Sequence, residues 1–410
     1  MQEWDAIIIG GGAAGFFGAI TCAAHPPKKT RVLILEKSRR VLTKVKVSGG
    51  GRCNVTHHCF DPKQMATNYP RGNKALIGPL HRFGVAETVE WFAEHGLTLK
   101  TESDGRMFPT TDDSQTVIDC LRDAAGVAGV TIRHSTGVKA VYPAAHERFE
   151  LLLDGGERIT ARKVLLATGG IRAGGGAGLA RSLGHTLTPA VPSLFTFHIR
   201  DPRIHGLQGL SVEHTQVSVQ GLPLTNDGPL LITHRGMSGP AILKLSAWGA
   251  RELAGLDYSF TLIVNWLPTE DVPTTLEALR HESGTRQVAA RSPFDPIPKR
   301  LWQSLVEAAG VPKDCTWSRL PKKAALALAA ELAHGEFEVR GKSTNKDEFV
   351  TCGGVPTDEV DMRTMESRIR PGAYFAGEIL DIDGVTGGFN FQNAWTTGYL
   401  AGMAMAQNSD

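Results

Sequence analysis

Gly10, Gly12 and Gly15 follow the apolar run Ala6-Ile7-Ile8-Ile9, and Glu36 stands 21 residues beyond the last of them. Glycines at that spacing, between a strand and a helix, make a dinucleotide site. Gly10 allows the tight turn, Gly12 lets backbone approach a pyrophosphate, and Gly15 permits close helix–strand packing. The helix N-terminus offers free N–H groups and the positive end of its dipole to the phosphates. Glu36 can accept hydrogen bonds from ribose hydroxyls. This half of the pattern does not separate FAD from a nicotinamide dinucleotide.

The elements that must hold these residues can be read around them. Ala6–Ile9 predicts a strand buried on both faces of a parallel sheet. The Ala- and Phe-rich helix after it should run to about Ala24 and stop at Pro26 and Pro27. Arg31–Leu35 is a second buried strand, ending on Glu36. Lys163–Leu166 is a third, closing on the turn Ala167-Thr168-Gly169-Gly170 after hairpin strands near 137–141 and 148–153. The C-terminal segment returns to strand and helix. Ala373–Ala376 leads to Gly377, Glu378 and Asp381, then to Gly387–Gln392 and a small-residue helix over 394–406. A helix N-terminus near Asn390 to Asn393, aimed at an isoalloxazine, would stabilise negative charge on reduced flavin. Glycines 387 and 388 would let that ring lie flat on backbone. The alternative is a structural strand–turn–helix that closes the sheet.

No second complete G-x-G-x-x-G carries a strand before it and an acid after it, so a separate nicotinamide domain is not expected. Cys53 and Cys59 enclose five residues and match a redox dithiol poorly. A chain of 410 residues suits two or three domains. Its 41% hydrophobic and 21% charged residues exclude a disordered, collagen-like or coiled-coil protein. A formal charge of +2 announces no global polycation, although local clusters remain. Six scattered cysteines fit a reducing compartment. The acidic start is no signal peptide, and Ala6–Ile20 is too short to span a bilayer. The expectation is a soluble cytoplasmic protein without a metal site. Nothing in the pattern sets the oligomeric state.

Ser48-Gly49-Gly50-Gly51-Arg52-Cys53-Asn54-Val55-Thr56 is too specific to be composition. So are Leu231–Pro240, Thr364-Met365-Glu366-Ser367 and Gly377–Gln392. In that order, from Asp5 to about Met405, they resemble the bacterial YhiN/BaiN-like flavoproteins. The resemblance implies an α/β fold with a Rossmann-like FAD-binding domain built from both chain ends, 1–192 and 351–410. It implies a β-rich insert over 193–267 and 334–350, and a helical insert over 268–333. The FAD-contact positions it implies begin with Gly10, Gly12, Ala14, Gly15, Glu36 and Lys37. They continue through Arg52, Cys53 and Asn54 to Val138, Ala167, Thr168 and Gly169. The last group is Gly377, Glu378, Asp381, Asn390, Phe391 and Gln392. Two stretches depart from the family: the shortened loop Ile171–Gly176, and Leu194-Phe195-Thr196-Phe197 in place of an aliphatic run. Both bear on the substrate side of the flavin.

FAD would bring the redox chemistry, and the protein position, a proton path and electrostatics. Reduction of an electron-poor C=C bond needs hydride from the flavin and a proton from an acid. Cys53, Cys352 and His234 are candidate proton donors, each with an ordinary packing or turn role as the alternative. Arg52 could neutralise a phosphate or a flavin carbonyl edge, or form a structural ion pair. NADH or NADPH would serve as transient reductant. The resemblance implies reduction of a ribosomal RNA uridine, reduction of a steroid-like enone, or oxidation of aminoacetone. Lys37, Arg39, Arg40, Lys44, Lys46 and Arg52 form a local basic cluster that favours ribosomal RNA over a small-molecule substrate. A non-catalytic FAD-binding protein is the third reading.

Overall fold

The computed structural model describes residues 2–25, 30–145, 147–172, 175–282, 284–343 and 350–407. The expected helix stop at Pro26 and Pro27 lies outside them, as do Ala173 and Gly174 of the shortened loop. The chain forms two compact units, one of Met1–Pro192 with Lys346–Asp410 and the other of Ser193–Asn345. Among the described residues no helix is long and apolar enough to cross a membrane.

In the first unit β1 (Gln2–Ile9) lies between β2 (Val32–Leu35) and β3 (Arg158–Leu166), parallel to both. β4 (Ala373–Phe375) adds in parallel to the far side of β3. The apolar runs are buried throughout, as a sheet covered on both faces requires. The strand after the first glycine turn and the strand before the last one thus belong to a single sheet.

Helix α1 (Ala13–Ala24) follows β1, and α2 (Phe389–Gln407) closes the chain. A β-carbon on Gly398 would lie 2.5 Å from the Ala14 carbonyl oxygen, and one on Gly402 would lie 2.6 Å from that of Gly18. The two helices therefore touch through backbone. Beside this seam Phe17 packs on Trp395 and Trp91, with ring centroids 4.8 and 4.4 Å away.

The Thr364–Ser367 motif has a structural part. His185 Nε2 lies 2.7 Å from Ser367 Oγ, and its Nδ1 lies 2.8 Å from Glu359 Oε2. Ser367 Oγ also accepts the N–H groups of Ile369 and Arg370 at 3.0 and 2.7 Å. Only a neutral ring, with its proton on Nδ1, satisfies all four bonds, because Ser367 must then donate to Nε2.

The second unit holds a closed six-stranded barrel, ordered Phe197–Ile199, Gly236–Ser238, Thr225–Thr233, Ser211–Val219, Ser259–Asn265 and Gly335–Lys342. Every pairing in it is antiparallel, as the alternating apolar pattern of this β-rich segment requires. Closure depends on Gly335–Lys342 pairing with both Ser259–Asn265 and Phe197–Ile199, and it leaves no free edge. Helices Lys299–Ala308 and Lys322–Ala333 lie within the 268–333 segment. They belong to the same compact unit as the barrel. Trp302 is fully buried there, its Nε1–H donating to the Val288 carbonyl at 2.8 Å.

Gly398→Val is expected to force α1 and α2 apart and cost about 2 kcal/mol, the usual penalty of overpacking. The check is a thermal midpoint lower by several degrees. Burial holds the His185 imidazolium below its ordinary pKa against the opposing pull of Glu359. The unfolded chain therefore takes up this proton first as pH falls, and stability is lost on acidification through about pH 6.5. His185→Gln is expected to flatten that part of the midpoint–pH curve.

Candidate active site

Three turns converge at the carboxyl ends of β1, β3 and β4, the place where open α/β sheets bind ligands. The first is Gly10–Gly12. Gly10 has φ +115°, and a β-carbon there would lie 2.3 Å from the Ala167 carbonyl oxygen. Gly15 returns the contact, its own β-carbon position lying 2.0 Å from the Gly10 carbonyl oxygen. Gly12 is different. Its φ of −93° and ψ of −170° suit any residue, and a β-carbon would meet nothing within 4 Å.

Glu36 lies beside this turn. Its Oε2 accepts the Gly11 N–H and its Oε1 the Ser38 N–H, both at 2.8 Å. Each oxygen keeps a second lone pair for a ribose hydroxyl. Thr136 N–H donates to the Glu36 carbonyl at 2.8 Å, which brings the start of the Val138–Ala144 strand to the same edge. Lys37 is exposed.

The second turn is Ala167–Gly170, where Thr168 Oγ1 is buried with no hydrogen-bond partner among the described residues. The third begins at Gly377, whose φ is +75° and whose β-carbon would lie 2.9 Å from that of Ala14. Gly377 N–H donates to Thr397 Oγ1 of α2 at 2.9 Å. Glu378 Oε1 accepts the Thr351 N–H at 2.8 Å, and its Oε2 takes Lys44 Nζ at 2.5 Å. Asp381 N–H donates to the Val355 carbonyl at 2.8 Å.

The Ser48–Asn54 motif and the C-terminal motif are stitched together. Gly49, Gly50 and Gly51 have φ of 57°, 69° and 88°, a left-handed run that glycine alone adopts cheaply. With its amide oriented to suit its neighbours, Asn54 accepts the Gly388 N–H at 3.0 Å. Trp395 Nε1–H donates to the Val55 carbonyl at 2.9 Å, and Thr56 Oγ1 donates to Gln392 Oε1 at 2.6 Å. Gln392 Nε2 is also committed, to Thr88 and Thr396 hydroxyls at 2.8 and 3.1 Å and to the Gly84 carbonyl at 3.1 Å. Asn390 braces the preceding loop, bonding both the N–H and the carbonyl of Gly384. Phe391 stacks on Trp395 at 5.5 Å. These side chains hold the turn in place, and α2 begins at Phe389, directly after the two glycines.

The proton-donor candidates separate. Cys53 is fully buried at φ +62°, and desolvation pushes its thiol up to about 12, so it stays protonated at neutral pH. Cys352 is buried in the Val350–Cys352 strand. His234 belongs to the second unit, on the exposed turn between Thr225–Thr233 and Gly236–Ser238. It lines a cavity of about 530 Å³ with Gln208 and Arg300. His57 was not singled out from sequence. It directly follows the Ser48–Thr56 motif, stacks on Phe389 at 4.8 Å and has Nδ1 3.1 Å from the Gly387 carbonyl oxygen. A carbonyl only accepts, so Nδ1 carries the proton.

Arg52 lies 4.0 Å over the Phe108 ring and binds Glu102 at 2.6 Å and Asp112 at 3.4 Å. Lys46 faces Asp113 at 3.6 Å. With Lys44 on Glu378, half of the six-residue basic cluster is engaged by carboxylates. This reduces its weight as an RNA-binding surface.

The described protein family "HI0933-like protein Rossmann domain" matches residues 4–404. The chain belongs to this family. It is an FAD-dependent oxidoreductase with a Rossmann-type fold and an additional β-rich unit, as the resemblance implied. It is 31% identical to the ribosomal RNA dihydrouridine synthase of Escherichia coli (strain K12), over 97% of each chain. It is also 31% identical to the 3-dehydro-bile acid delta(4,6)-reductase of Clostridium scindens, over 98% of each. In fold it is similar to the 3-ketosteroid-delta4-(5alpha)-dehydrogenase of Rhodococcus jostii RHA1. That likeness has a TM-score of 0.54 at 17% identity, covering 99% of this chain and 97% of that one.

The residues present fit the cofactor. A glycine with open space and unstrained torsions at position 12, and an orphaned buried hydroxyl at Thr168, are what a bound pyrophosphate and its ribityl chain would explain. Gly12→Val is expected to leave the thermal midpoint of the FAD-free protein unchanged and to abolish FAD uptake, read as loss of flavin absorbance in the purified protein.

Proposed function

We propose that this chain reduces a carbon–carbon double bond conjugated to a carbonyl, with a uridine of ribosomal RNA as its substrate. The observation that carries this reading is 31% identity, along 97% of both chains, to a relative named for that reaction. A second relative of the same name, from Haemophilus influenzae, is 28% identical over 99% of each chain. The bile-acid reductase is named for a different molecule and the same bond change. Dihydrouridine formation and enone reduction both add a hydride to one carbon and a proton to its neighbour, with both electrons carried by the hydride. The shared chemistry supports the reaction class independently of the substrate.

In this reading Gly12, Glu36, Thr168 and Glu378 would hold FAD, with Gly10, Ala14, Gly15, Ala167, Gly169 and Gly377 shaping the backbone around it. Bound there, FAD would supply hydride chemistry, with NADH or NADPH as the source of electrons. Arg52, Asn390 and Gln392 act through structure: the first anchors the Gly49–Gly51 loop, and the other two fix the start of α2. That helix start would offer the positive end of its dipole to negative charge developing on the cofactor. Cys53 holds a proton at Sγ that it surrenders poorly. His57 holds one at Nδ1 against Gly387, beside the Gly387–Gly388 backbone.

Reduction of a steroid-like enone is the second reading, favoured by the bile-acid relative. The test compares the two. Deleting the gene is expected to remove one dihydrouridine from the large-subunit ribosomal RNA of the host, scored by mass spectrometry. An unchanged modification profile, with rapid flavin turnover on an enone, would replace the first reading by the second.

A further inference from the structure

The Leu231–Pro240 motif belongs to the second unit, and none of its residues is assigned to FAD. Its first four residues form one wall of the cavity of about 530 Å³. The loop from Gly206 to Gly209 forms a second wall, and Arg300 a third. A space of this size falls in the range of small-molecule sites, about 300–1,000 Å³. Bonds within the unit fix the walls. The Gly209 N–H donates to the Ile232 carbonyl and the Ile232 N–H to the Leu210 carbonyl, both at 2.9 Å. Ser304 Oγ donates to the Arg203 carbonyl at 2.7 Å. Arg300 stands one turn earlier on the same face of the Lys299–Ala308 helix, and its Nη2 donates to the Gly206 carbonyl. The guanidinium is thereby held at the cavity wall with N–H donors to spare.

The lining is accessible and carries one sign of charge. Leu230 and Ile232 are buried, so Leu231 between them faces out of the barrel, 36% exposed. A β-carbon on Gly206 or Gly209 would meet nothing within 4 Å. His234 and Arg300 are exposed and Gln208 is half-buried. No carboxylate lines the cavity. Among the described residues none pairs with Arg300 or His234, and the Gln208 amide has no hydrogen-bond partner. Asp201 and Glu331 are already taken, both binding Arg203, at 2.7 and 2.6 Å.

We propose that this cavity binds a nucleoside phosphate. Arg300 and His234 take the phosphate, as charge-assisted donors on an acid-free wall. The exposed Leu231 side chain is covered by the flat face of the base. The Gln208 carboxamide presents a donor and an acceptor side by side, the complement of a base edge. A nucleotide combines the three features that the lining asks for: an anion, a flat apolar face and a paired donor–acceptor edge. A nucleotide of an RNA strand and a free nucleotide share this chemistry, so the test separates the two. The assignment stands whether or not ribosomal RNA is the substrate.

The experiment uses the full-length holoprotein, so that FAD already fills the dinucleotide site, and follows binding by isothermal titration calorimetry. UMP, AMP, uridine and inorganic phosphate are titrated separately. UMP or AMP is expected to bind about tenfold more tightly than uridine or inorganic phosphate, because only the nucleotide uses both ends of the cavity. Arg300→Gln is expected to weaken the nucleotide about tenfold through the phosphate, and Gln208→Leu to weaken it through the base. Loss of the Gly206 bond could unfold the first variant, so His234→Ala on the exposed turn is measured beside it, with circular dichroism and flavin absorbance reporting the fold. Nucleotide affinity unchanged in all folded variants would overturn the proposal. So would inorganic phosphate binding as tightly as the nucleotide, which makes the cavity a plain anion site, or no binding of either nucleotide. NADP⁺ and a short uridine-rich RNA are then offered as competitors. Displacement by the RNA alone identifies a strand as the source, and displacement by NADP⁺ alone a free nucleotide; each supports the site.

Discussion

Backbone contact between α1 and α2 is the constraint on which the rest depends. Helix axes usually stand apart by the thickness of their side chains, about 8–10 Å. Here Gly398 and Gly402 put α2 directly on the Ala14 and Gly18 carbonyls. The same approach sets Gly377 against Ala14 and so brings the turn after β4 to the turn after β1. With Ala167 already against Gly10, the three turns are arranged by steric exclusion rather than by any one strong bond. A dinucleotide site made from both ends of a chain needs that exactness, because neither end alone encloses it.

The second contribution is the set of hydrogen bonds joining the Asn54–His57 segment to the start of α2. Asn54, Val55, Thr56 and His57 each bind a different group of the Gly387–Trp395 segment. The amide of Gln392 is fully used and wholly buried, and such a network is costly to break in part. Its consequence is a rigid glycine pair at positions 387 and 388.

What could be read from sequence was local. The runs at Ala6–Ile9 and Arg31–Leu35, the glycines between them and the terminal Glu36 lie within forty residues, and periodicity and turn chemistry identify them directly. Pairing at long range could not be read this way. Arg52 meets Glu102 and Asp112, fifty and sixty residues away, and only the fold decides that its charge goes to them. Barrel closure waits on a strand that begins at Gly335. The helix start expected near Asn390 to Asn393 falls at Phe389, directly after two glycines of positive φ. His57 escaped notice because its neighbour Gly387 is 330 residues distant.

The central claim is that these joined ends hold FAD for the reduction of a conjugated double bond. Anaerobic reoxidation of the chemically reduced holoprotein tests it most directly, with ribosomal RNA precursor, a steroid-like enone and dioxygen offered in parallel. The account predicts a protein purified with bound FAD whose bleached flavin recovers its colour at once with the precursor and far more slowly with dioxygen. Flavin that stays bleached with both unsaturated substrates and recovers only in air would contradict it.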